Sequence, residues 1–508
     1  MWRHLLYITV LAAAASGCAT ISVDQPVEPS YAITDTADTT LGREVAEWTS
    51  QHDGLSGFYP LISGLDALGA RLALIESAEK SIDAQYFLMK PDIAGLIFAG
   101  ALLQAADRGV RVRFLLDDIF TTADDVHLSA LNSHPNIDVR MFNPVARSGS
   151  SSLNFLGDFG RANRRMHNKS LTVDNRITII GGRNIADEYF ELKPEGEFLD
   201  FDVLGLGDVA GDVAEQFDLF WNHEYSIPLD IVASNVGESE VDAARADIVA
   251  GFDDILQSIY ADAVGSTLVR DLYDGEVPLY PASADFVTDA PDKLINDIDE
   301  SQKILVNHLA EVAARAEDEI VVITPYFVPL DTGVAFWKAV VESGVKVTIL
   351  TNSLASNNHI PVHSAYAKYR RPIIEAGVDL YELRADAVSE PASDAQASPE
   401  SVTLHTKVVI IDREFLYVGS LNLDPRSIDI NTEMGAIIRS PDFASSLAER
   451  AAAALPERAY RVELDENGEL RWHAVIDGVE VTETKEPQAS GWRRFKAFVL
   501  KIVPDSQL

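Results

Sequence analysis

The chain repeats one order of apolar and polar segments. In the first pass, large apolar residues recur at helical spacing over residues 61–80, and an apolar strand then ends at Tyr86. A helix over residues 94–108 and a buried strand over residues 110–118 complete a β-α-β unit, whose strands are expected to be parallel. The second pass has a strand ending at Tyr326, a helix to residue 343 and another buried strand. The pattern predicts an α/β fold built from two copies of one domain.

Each copy ends in the same spaced motif. A histidine is followed by a lysine two residues on, then by an aspartate, a glycine and an asparagine at equal intervals in both copies. The two sets are His167, Lys169, Asp174, Gly181, Asn184 and His405, Lys407, Asp412, Gly419, Asn422. One copy is a weak signal, but two copies in one chain are not a coincidence.

The spacing has a chemical meaning. In a strand, side chains two residues apart point the same way, so the histidine and lysine of each copy share one pocket. The glycine allows close backbone approach, and the asparagine adds a neutral donor. Two such pockets facing each other would surround a phosphoryl group, with one histidine as nucleophile and the other as acid. No cluster of residues has metal-ligand spacing, so no metal or other cofactor is predicted.

These motifs resemble the duplicated His-Lys-Asp signature of the phospholipase D superfamily. Residues 363–383 also resemble the corresponding part of bacterial cardiolipin synthases with two such motifs. The resemblance implies two α/β/α domains related by a pseudo-twofold axis, with one active site from one chain, so that a monomer suffices. It implies that His167 forms a phosphohistidine while His405 acts as acid and then base. The two lysines and two asparagines would bind the phosphoryl oxygens.

The same resemblance assigns supporting roles. A carboxylate after each motif, Asp202 or Glu433, would hold a histidine Nδ1–H and fix its tautomer. The motif aspartates, Asp174 and Asp412, would be structural. Gly182 replaces a hydroxyl residue found in the usual pattern, which removes one donor from the first half.

Four residues are predicted to contact substrate: Tyr86, Tyr326, Arg165 and Tyr366. Arg165 belongs to a basic cluster just before His167, which either attracts an anionic headgroup or is a solvated loop. Tyr366 either lines the substrate entrance or packs the aromatic face of a helix.

The N-terminus predicts a membrane anchor. A basic start, an apolar run over residues 5–15 and small residues before Cys18 indicate a signal peptide over residues 1–17. The segment before Cys18 resembles a bacterial lipobox, which implies lipidation of Cys18; the alternative is a simple signal peptide. Lipidation would place the protein in the bacterial envelope, facing the periplasm, with the outer membrane weakly favoured. The polar residues 18–56 are interpreted as a flexible tether.

The remaining boundaries follow from composition. Domain 1 is predicted over residues 57–232, a helical bridge over 233–300, domain 2 over 301–448 and a C-terminal extension over 449–508. The extension contains a hairpin signal and an amphipathic helix with a basic face, which either lies on a membrane or packs on the body.

Charge and resemblance together limit the function. The net charge of −38 over 508 residues disfavours nucleic acid as a partner. The favoured function is cardiolipin synthase-like transfer to phosphatidylglycerol, with phosphatidylethanolamine as a further candidate substrate. The alternatives are hydrolysis of phospholipid to phosphatidic acid, a nuclease of the same superfamily, and a non-catalytic envelope lipoprotein.

Overall fold

The computed structural model describes residues 27–147, 151–193, 196–255, 263, 265–296, 299–387 and 400–505. The predicted signal peptide and Cys18 lie outside the described residues. Among the residues that are described, no helix combines the length and apolar character needed to cross a membrane.

The first half is an eight-stranded sheet with helices on both faces. Its strands, together with a short separate strand β7, are β1 (Ser56–Leu61), β2 (Ser81–Tyr86), β3 (Arg111–Asp117), β4 (Ile137–Phe142), β5 (Ser170–Val173), β6 (Ile177–Gly181), β7 (Glu197–Leu199), β8 (Asp202–Leu206) and β9 (Ser226–Pro228). Its helices are α1 (Thr40–Gln51), α2 (Gly64–Ser77), α3 (Ile93–Asp107), α4 (Asp125–Asn132), α5 (Ser151–Gly157), α6 (Phe159–Ala162), α7 (Asp208–Trp221) and α8 (Leu229–Val232). All six residues of β2 are buried, which requires cover on both faces of the sheet.

Where the structure describes it, the connection to the second half contains two α-helices and one strand. They are α9 (Glu238–Ile255), α10 (Thr267–Asp274) and β10 (Tyr280–Thr288). The predicted helical bridge over residues 233–300 is therefore wrong over β10. The alternating large residues of this segment indicate a strand, but the segment is short and lies between acidic stretches with a helical period.

The second half repeats the first. Its strands, with β14 separate, are β11 (Glu319–Ile323), β12 (Lys346–Asn352), β13 (Asp379–Leu383), β14 (Val402–Leu404), β15 (Val408–Ile411), β16 (Phe415–Gly419) and β17 (Met434–Arg439). Its helices are α11 (Ile304–Ala313), α12 (Leu330–Glu342), α13 (Ile360–Tyr366), α14 (Arg370–Glu375) and α15 (Pro441–Arg458).

The strand orders show the duplication directly. The first sheet runs β9-β4-β3-β2-β5-β6-β8-β1. The second runs β18-β13-β12-β11-β15-β16-β17-β10, where β18 (Ala459–Leu464) belongs to the C-terminal extension. In each sheet three neighbouring strands pair in parallel, as expected for β-α-β units. The equivalent edge strands β1 and β10 pair with each other and join the sheets. The predicted α/β fold with a duplicated domain is thus confirmed.

The segment before β1 is attached to the body. Helix α1 buries Leu41 and Val45, and the Ser30 hydroxyl accepts a hydrogen bond from the Trp221 indole at 2.8 Å. The prediction of a flexible tether is therefore wrong over residues 27–56. The apolar residues of α1 recur at helical spacing, but they are few and lie within an otherwise polar stretch.

The C-terminal extension contains the hairpin indicated by the Asn-Gly signal. Strands β18 and β19 (Leu470–Ile476) pair antiparallel, and β20 (Val479–Glu483) extends them. Helix α16 (Gly491–Leu500) follows at the predicted amphipathic segment.

Candidate active site

The first motif is held against the second half by its own backbone. Met166 forms an isolated parallel bridge with Thr432, and the His167 amide donates to the Thr432 carbonyl at 3.0 Å. The next residue of the second half, Glu433, lies 2.8 Å from His167 Nδ1. The first histidine therefore takes its carboxylate from the opposite half.

The second motif repeats this arrangement in reverse. Leu404 in β14 pairs in parallel with Leu199 in β7, and the His405 amide donates to the Leu199 carbonyl at 2.8 Å. The next residue of the first half, Asp200, lies 2.5 Å from His405 Nδ1. The two halves thus exchange carboxylates, and each histidine depends on the other half for its tautomer. A carboxylate that accepts the Nδ1 proton fixes the tautomer in which the Nε2 lone pair can attack phosphorus or take up a proton.

The prediction that Asp202 holds a histidine is wrong. Asp202 is fully buried at the start of β8 and accepts a hydrogen bond from Arg71 at 2.8 Å. The partner that sequence reasoning missed is Asp200, two residues earlier in the same acidic segment. The signal was present in the sequence, but the spacing alone did not show which of the two aspartates turns towards the other half. Glu433 does hold a histidine, but this is His167 of the first half and not His405, which is nearer along the chain.

The two lysines are buried beside the histidines. The Lys169 ammonium donates to the His167 carbonyl at 2.6 Å. The Lys407 ammonium donates to the His405 carbonyl and lies 2.8 Å from Nδ1 and 3.2 Å from Nε2 of the same imidazole. Burial lowers the pKa of Lys169 to about 7 and that of Lys407 to about 8. Two ammoniums in one desolvated pocket are costly in this way, so the pocket is suited to a further negative ligand.

The electrostatics place both motifs in one site. Burial and then the neighbouring ammoniums of Lys169 and Lys407 hold the pKa of His167 well below its usual value. Burial, Lys407 and also Lys169 lower the pKa of His405 to about 4. The lysine of each half therefore lowers the pKa of the histidine in the other half, as expected if the two pockets face one phosphate.

The two carboxylates differ in pKa, and so in how readily they take up a proton. Burial raises the pKa of Glu433 to about 7. Burial also opposes ionisation of Asp200, but Lys407 and His405 outweigh it and hold the pKa of Asp200 below its usual value. His405 therefore faces a firmly ionised partner, whereas His167 faces one that is readily protonated.

Small residues make room for these carboxylates. A Cβ on Gly182 would collide with the Asp200 carboxyl group, and one on Gly181 would collide with Asp202. On the other side, a Cβ on Gly419 would meet the backbone of β17. Ser420, which occupies the position of Gly182, donates its hydroxyl to Glu433.

The motif aspartates connect turns to strands. Asp174 accepts three backbone N–H groups at the start of β2, at 2.8–3.0 Å, and Asp412 accepts the equivalent three before β11, at 2.9–3.0 Å. Both lie away from the histidine pairs, as expected of structural residues.

The motif asparagines have different environments. Asn184 donates to the Tyr189 hydroxyl at 2.9 Å and accepts from the Leu88 amide at 3.3 Å. The buried Oδ1 of Asn422 has no hydrogen-bond partner within the described part of the chain. The Asn422 amide is therefore the less constrained of the two.

Aromatic rings surround the imidazoles, and sequence reasoning missed them. Phe87 packs edge-on to His167 with ring centroids 4.7 Å apart. Phe198 stacks on His405 at 5.2 Å, and Tyr189 meets the same ring edge-on at 5.2 Å. These rings exclude water from the histidines and account for part of the desolvation.

Three of the four residues predicted to contact substrate are buried and bonded to other side chains of the protein. Tyr86 is fully buried and bonds to Arg71 at 3.2 Å, because the residue that faces the site is its neighbour Phe87. Arg165 is buried in an ion pair with Asp117. Tyr366 is also buried, and its hydroxyl donates to Glu382 at 2.7 Å. Only Tyr326 is partly exposed, and its hydroxyl donates to Asn358 at 2.8 Å.

Within the described residues there is no group of three or more histidine, cysteine, aspartate or glutamate side chains arranged to hold a metal ion. The chemical groups at the centre of the site are instead imidazoles, ammoniums and amides, which suit a phosphoryl group.

Comparison with known proteins agrees with this class of site. The family described as "Cardiolipin synthase, PLD-like domain" matches residues 72–221 and 309–454, once in each half. The chain therefore belongs to this family of the phospholipase D superfamily, and it is a phospholipase D-superfamily phosphatidyltransferase.

Two relatives in sequence and one solved structure show which members of the superfamily the chain resembles. The chain is 38% identical to cardiolipin synthase C of Escherichia coli K12 over 468 residues, which cover 91% of this chain and 98% of the relative. It is 32% identical to an uncharacterized protein of Helicobacter pylori 26695, covering 97% of each. The fold is similar to that of phosphatidylserine synthase from Haemophilus influenzae, with a TM-score of 0.54, 16% identity, and coverage of 82% of this chain and 91% of that one.

Proposed function

We propose that the protein joins two phosphatidylglycerol molecules into cardiolipin and glycerol through a phosphohistidine intermediate. The observation that carries this proposal is the exchange of carboxylates, because it holds both imidazoles by Nδ1 around a shared pair of ammoniums. The similarity to cardiolipin synthase C supports the choice of lipid substrate.

In the first step, Nε2 of His167 attacks the phosphorus of one phosphatidylglycerol. The bond from phosphorus to the headgroup glycerol oxygen breaks, and that oxygen takes a proton from His405. Glycerol leaves, and the phosphatidyl group stays bonded to His167. Charge that develops on the phosphoryl oxygens is stabilised by the two lysines and two motif asparagines.

In the second step, a headgroup hydroxyl of another phosphatidylglycerol replaces glycerol. His405, now neutral, accepts the hydroxyl proton while the oxygen attacks phosphorus. The bond from phosphorus to His167 breaks, so cardiolipin forms and the enzyme returns to its starting state. The acceptor distinguishes synthesis from hydrolysis, since water in the same place would give phosphatidic acid.

The different carboxylates support these roles. An ionised Asp200 favours the imidazolium form of His405, which a general acid needs. Glu433, with its pKa raised to about 7, provides a weaker counter-charge, and His167 remains neutral and nucleophilic. A phosphodiester anion bound beside His405 offsets the ammoniums and raises the pKa of His405 from about 4.

Location and assembly complete the proposal. We propose that lipidated Cys18 anchors the protein in the bacterial envelope facing the periplasm, with the outer membrane weakly favoured. One chain carries both motifs, so a monomer is sufficient for activity.

The test is a product analysis. Purified protein is incubated with phosphatidylglycerol, with and without phosphatidylethanolamine, and the lipids are resolved. We expect cardiolipin and glycerol, and an acid-labile, alkali-stable phosphohistidine after rapid quenching. Release of phosphatidic acid alone would establish a hydrolase, and absence of the phosphohistidine would refute the mechanism. Plasmid nicking in the same preparation would indicate a nuclease.

A further inference from the structure

Helix α16 presents an apolar face that the body does not cover. The exposed fractions are 65% for Trp492, 53% for Phe495, 71% for Phe498 and 86% for Ile502 just beyond the helix. Large apolar side chains exposed together on one short helix usually mark an interaction surface.

The same segment carries an unusual charge. Residues 490–503 contain four cations and no carboxylate, in a chain whose net charge is −38. The cations are Arg493, Arg494, Lys496 and Lys501. Arg493 and Arg494 donate to backbone carbonyls of the body, whereas Lys496 and Lys501 are exposed. A helix with an aromatic face and exposed lysines beside it fits the interface of an anionic bilayer, where rings enter the headgroup region and ammoniums meet phosphates.

The orientation of the helix is fixed by its inner side. Arg493 donates to the Leu354 carbonyl at 2.6 Å and also to the Asn357 carbonyl. Ala497 is buried and packs in a small cluster with Leu354. Because these residues point to the body, the aromatic side chains are held outward.

The loop that receives Arg493 also reaches the active site. Asn352, at the start of this loop, accepts from the Leu404 amide at 2.9 Å and donates to the Leu404 carbonyl at 2.8 Å. Leu404 directly precedes His405. Helix α16 is therefore connected to the catalytic strand through one short loop, so a surface bound there lies close to the reaction site.

We infer that α16 is an interfacial helix that docks the catalytic body on an anionic phospholipid bilayer, independently of the anchor at Cys18. The inference rests on the proposed function, because the bilayer holds the phosphatidylglycerol that the enzyme uses. A lipid anchor alone confines the protein to the membrane, whereas α16 fixes the orientation of the catalytic body, and so of its active site, relative to the bilayer.

The experiment compares two double variants of the full chain. Phe495→Glu with Phe498→Glu places two carboxylates on the outward face of α16. The matched control, Leu219→Glu with Val479→Glu, adds the same charge at apolar residues that are 51% and 62% exposed elsewhere. All chains, including the parent, carry Cys18→Ser, so that an acyl anchor does not mask the difference and the N-terminus is common to all.

Binding is measured by flotation with vesicles of phosphatidylglycerol and phosphatidylethanolamine, and with vesicles of phosphatidylcholine alone. We expect the α16 variant to lose binding to the anionic vesicles by about tenfold or more relative to the parent, while the control changes little. Equal binding by parent and α16 variant would overturn the inference. So would sedimentation showing that the parent is a dimer that the α16 variant converts to a monomer with unchanged vesicle binding, because the face would then be an interface between copies.

Turnover of short-chain, monomeric phosphatidylglycerol separates this inference from the proposed function. We expect the α16 variant to turn over the monomeric substrate like the parent and to lose activity only on vesicles. If the parent itself makes no cardiolipin from either substrate, the proposed function fails while the vesicle binding still tests α16. Loss of activity on the monomeric substrate in the α16 variant alone would also contradict a docking role.

Discussion

The exchanged carboxylates predict opposite results for two neighbouring aspartates. Asp200→Asn removes the charge that faces His405, 2.5 Å from Nδ1, whereas Asp202→Asn removes the partner of Arg71. Both aspartates are buried, and they are two residues apart in the same segment. The pair therefore separates a catalytic effect from a general effect of altering this region.

The size of the catalytic effect follows from the geometry. An imidazolium and a carboxylate about 4 Å apart attract each other by about 4 kcal/mol at an effective dielectric constant of ~20. His405 is charged when it protonates the leaving oxygen, so Asp200→Asn loses this attraction in the transition state. Since ~1.4 kcal/mol corresponds to a tenfold change in rate, we expect kcat to fall by about 10³-fold.

Asp202→Asn should instead affect stability. Removing one partner of a buried ion pair leaves Arg71 uncompensated, at a cost of about 3–5 kcal/mol in the free energy of unfolding. We expect a lower Tm and a kcat per folded molecule close to that of the parent.

The assay is turnover of short-chain phosphatidylglycerol, corrected for the folded fraction from circular dichroism. Nitrogen chemical shifts of His405 report the tautomer, which should change in Asp200→Asn only. The reasoning is refuted if Asp200→Asn keeps more than about a tenth of kcat, given the expected loss of three decades. It is equally refuted if Asp202→Asn lowers kcat per folded molecule as much as Asp200→Asn does.

Three further predictions test the same site. His405→Ala should still form phosphohistidine from a phosphodiester with a p-nitrophenol leaving group, which needs no acid, whereas His167→Ala should not; the reverse pattern in rapid-quench experiments would exchange the two roles. Inorganic tungstate should bind with uptake of protons at pH 8, because the ammoniums of Lys169 and Lys407, with pKa about 7 and about 8, must be charged to hold an anion. Its affinity should fall as the pH rises from about 6 to about 9, a window that extends about one unit either side of those two pKa values. Calorimetry in buffers of different ionisation enthalpy that shows no proton uptake would contradict this. Gly182→Ala should displace the Asp200 carboxyl group and lower kcat. Gly211→Ala, at a helical position where a Cβ meets nothing within 4 Å, should raise stability by about 0.5–1 kcal/mol without changing kcat. An equal kcat in the two variants would show that the space beside Asp200 is not required.

The sequence predicted the repeated parts of the molecule well. The helical and strand periods of residues 61–118 and 319–353 correspond to elements of both sheets, because buried α/β units carry strong patterns. Strand β10 and helix α1 were missed, since their apolar residues are few and lie within polar or acidic surroundings. Their position is fixed by tertiary pairing, and the local pattern is too weak to reveal it.

At the site, the limit was the direction of side chains. Tyr86 and Phe87 are adjacent aromatic residues at a strand end, and the change of face between them decides which one packs against His167. The same difficulty arose at Asp200 and Asp202, where the chain passes from β7 to β8 and alternation no longer applies. The motifs identified the chemistry, but the supporting residues depend on how two distant segments meet.

The exchange of carboxylates also explains why both halves are needed in one folded unit. The backbone bridges Met166–Thr432 and Leu404–Leu199 place each histidine beside the residue that orients it, and both bridges cross between the halves. If the halves separate, the histidine of each half loses the carboxylate that orients it, and the lysine beside it loses a neighbouring counter-charge. Docking of the halves therefore assembles the site and sets the protonation of its four central groups in the same step.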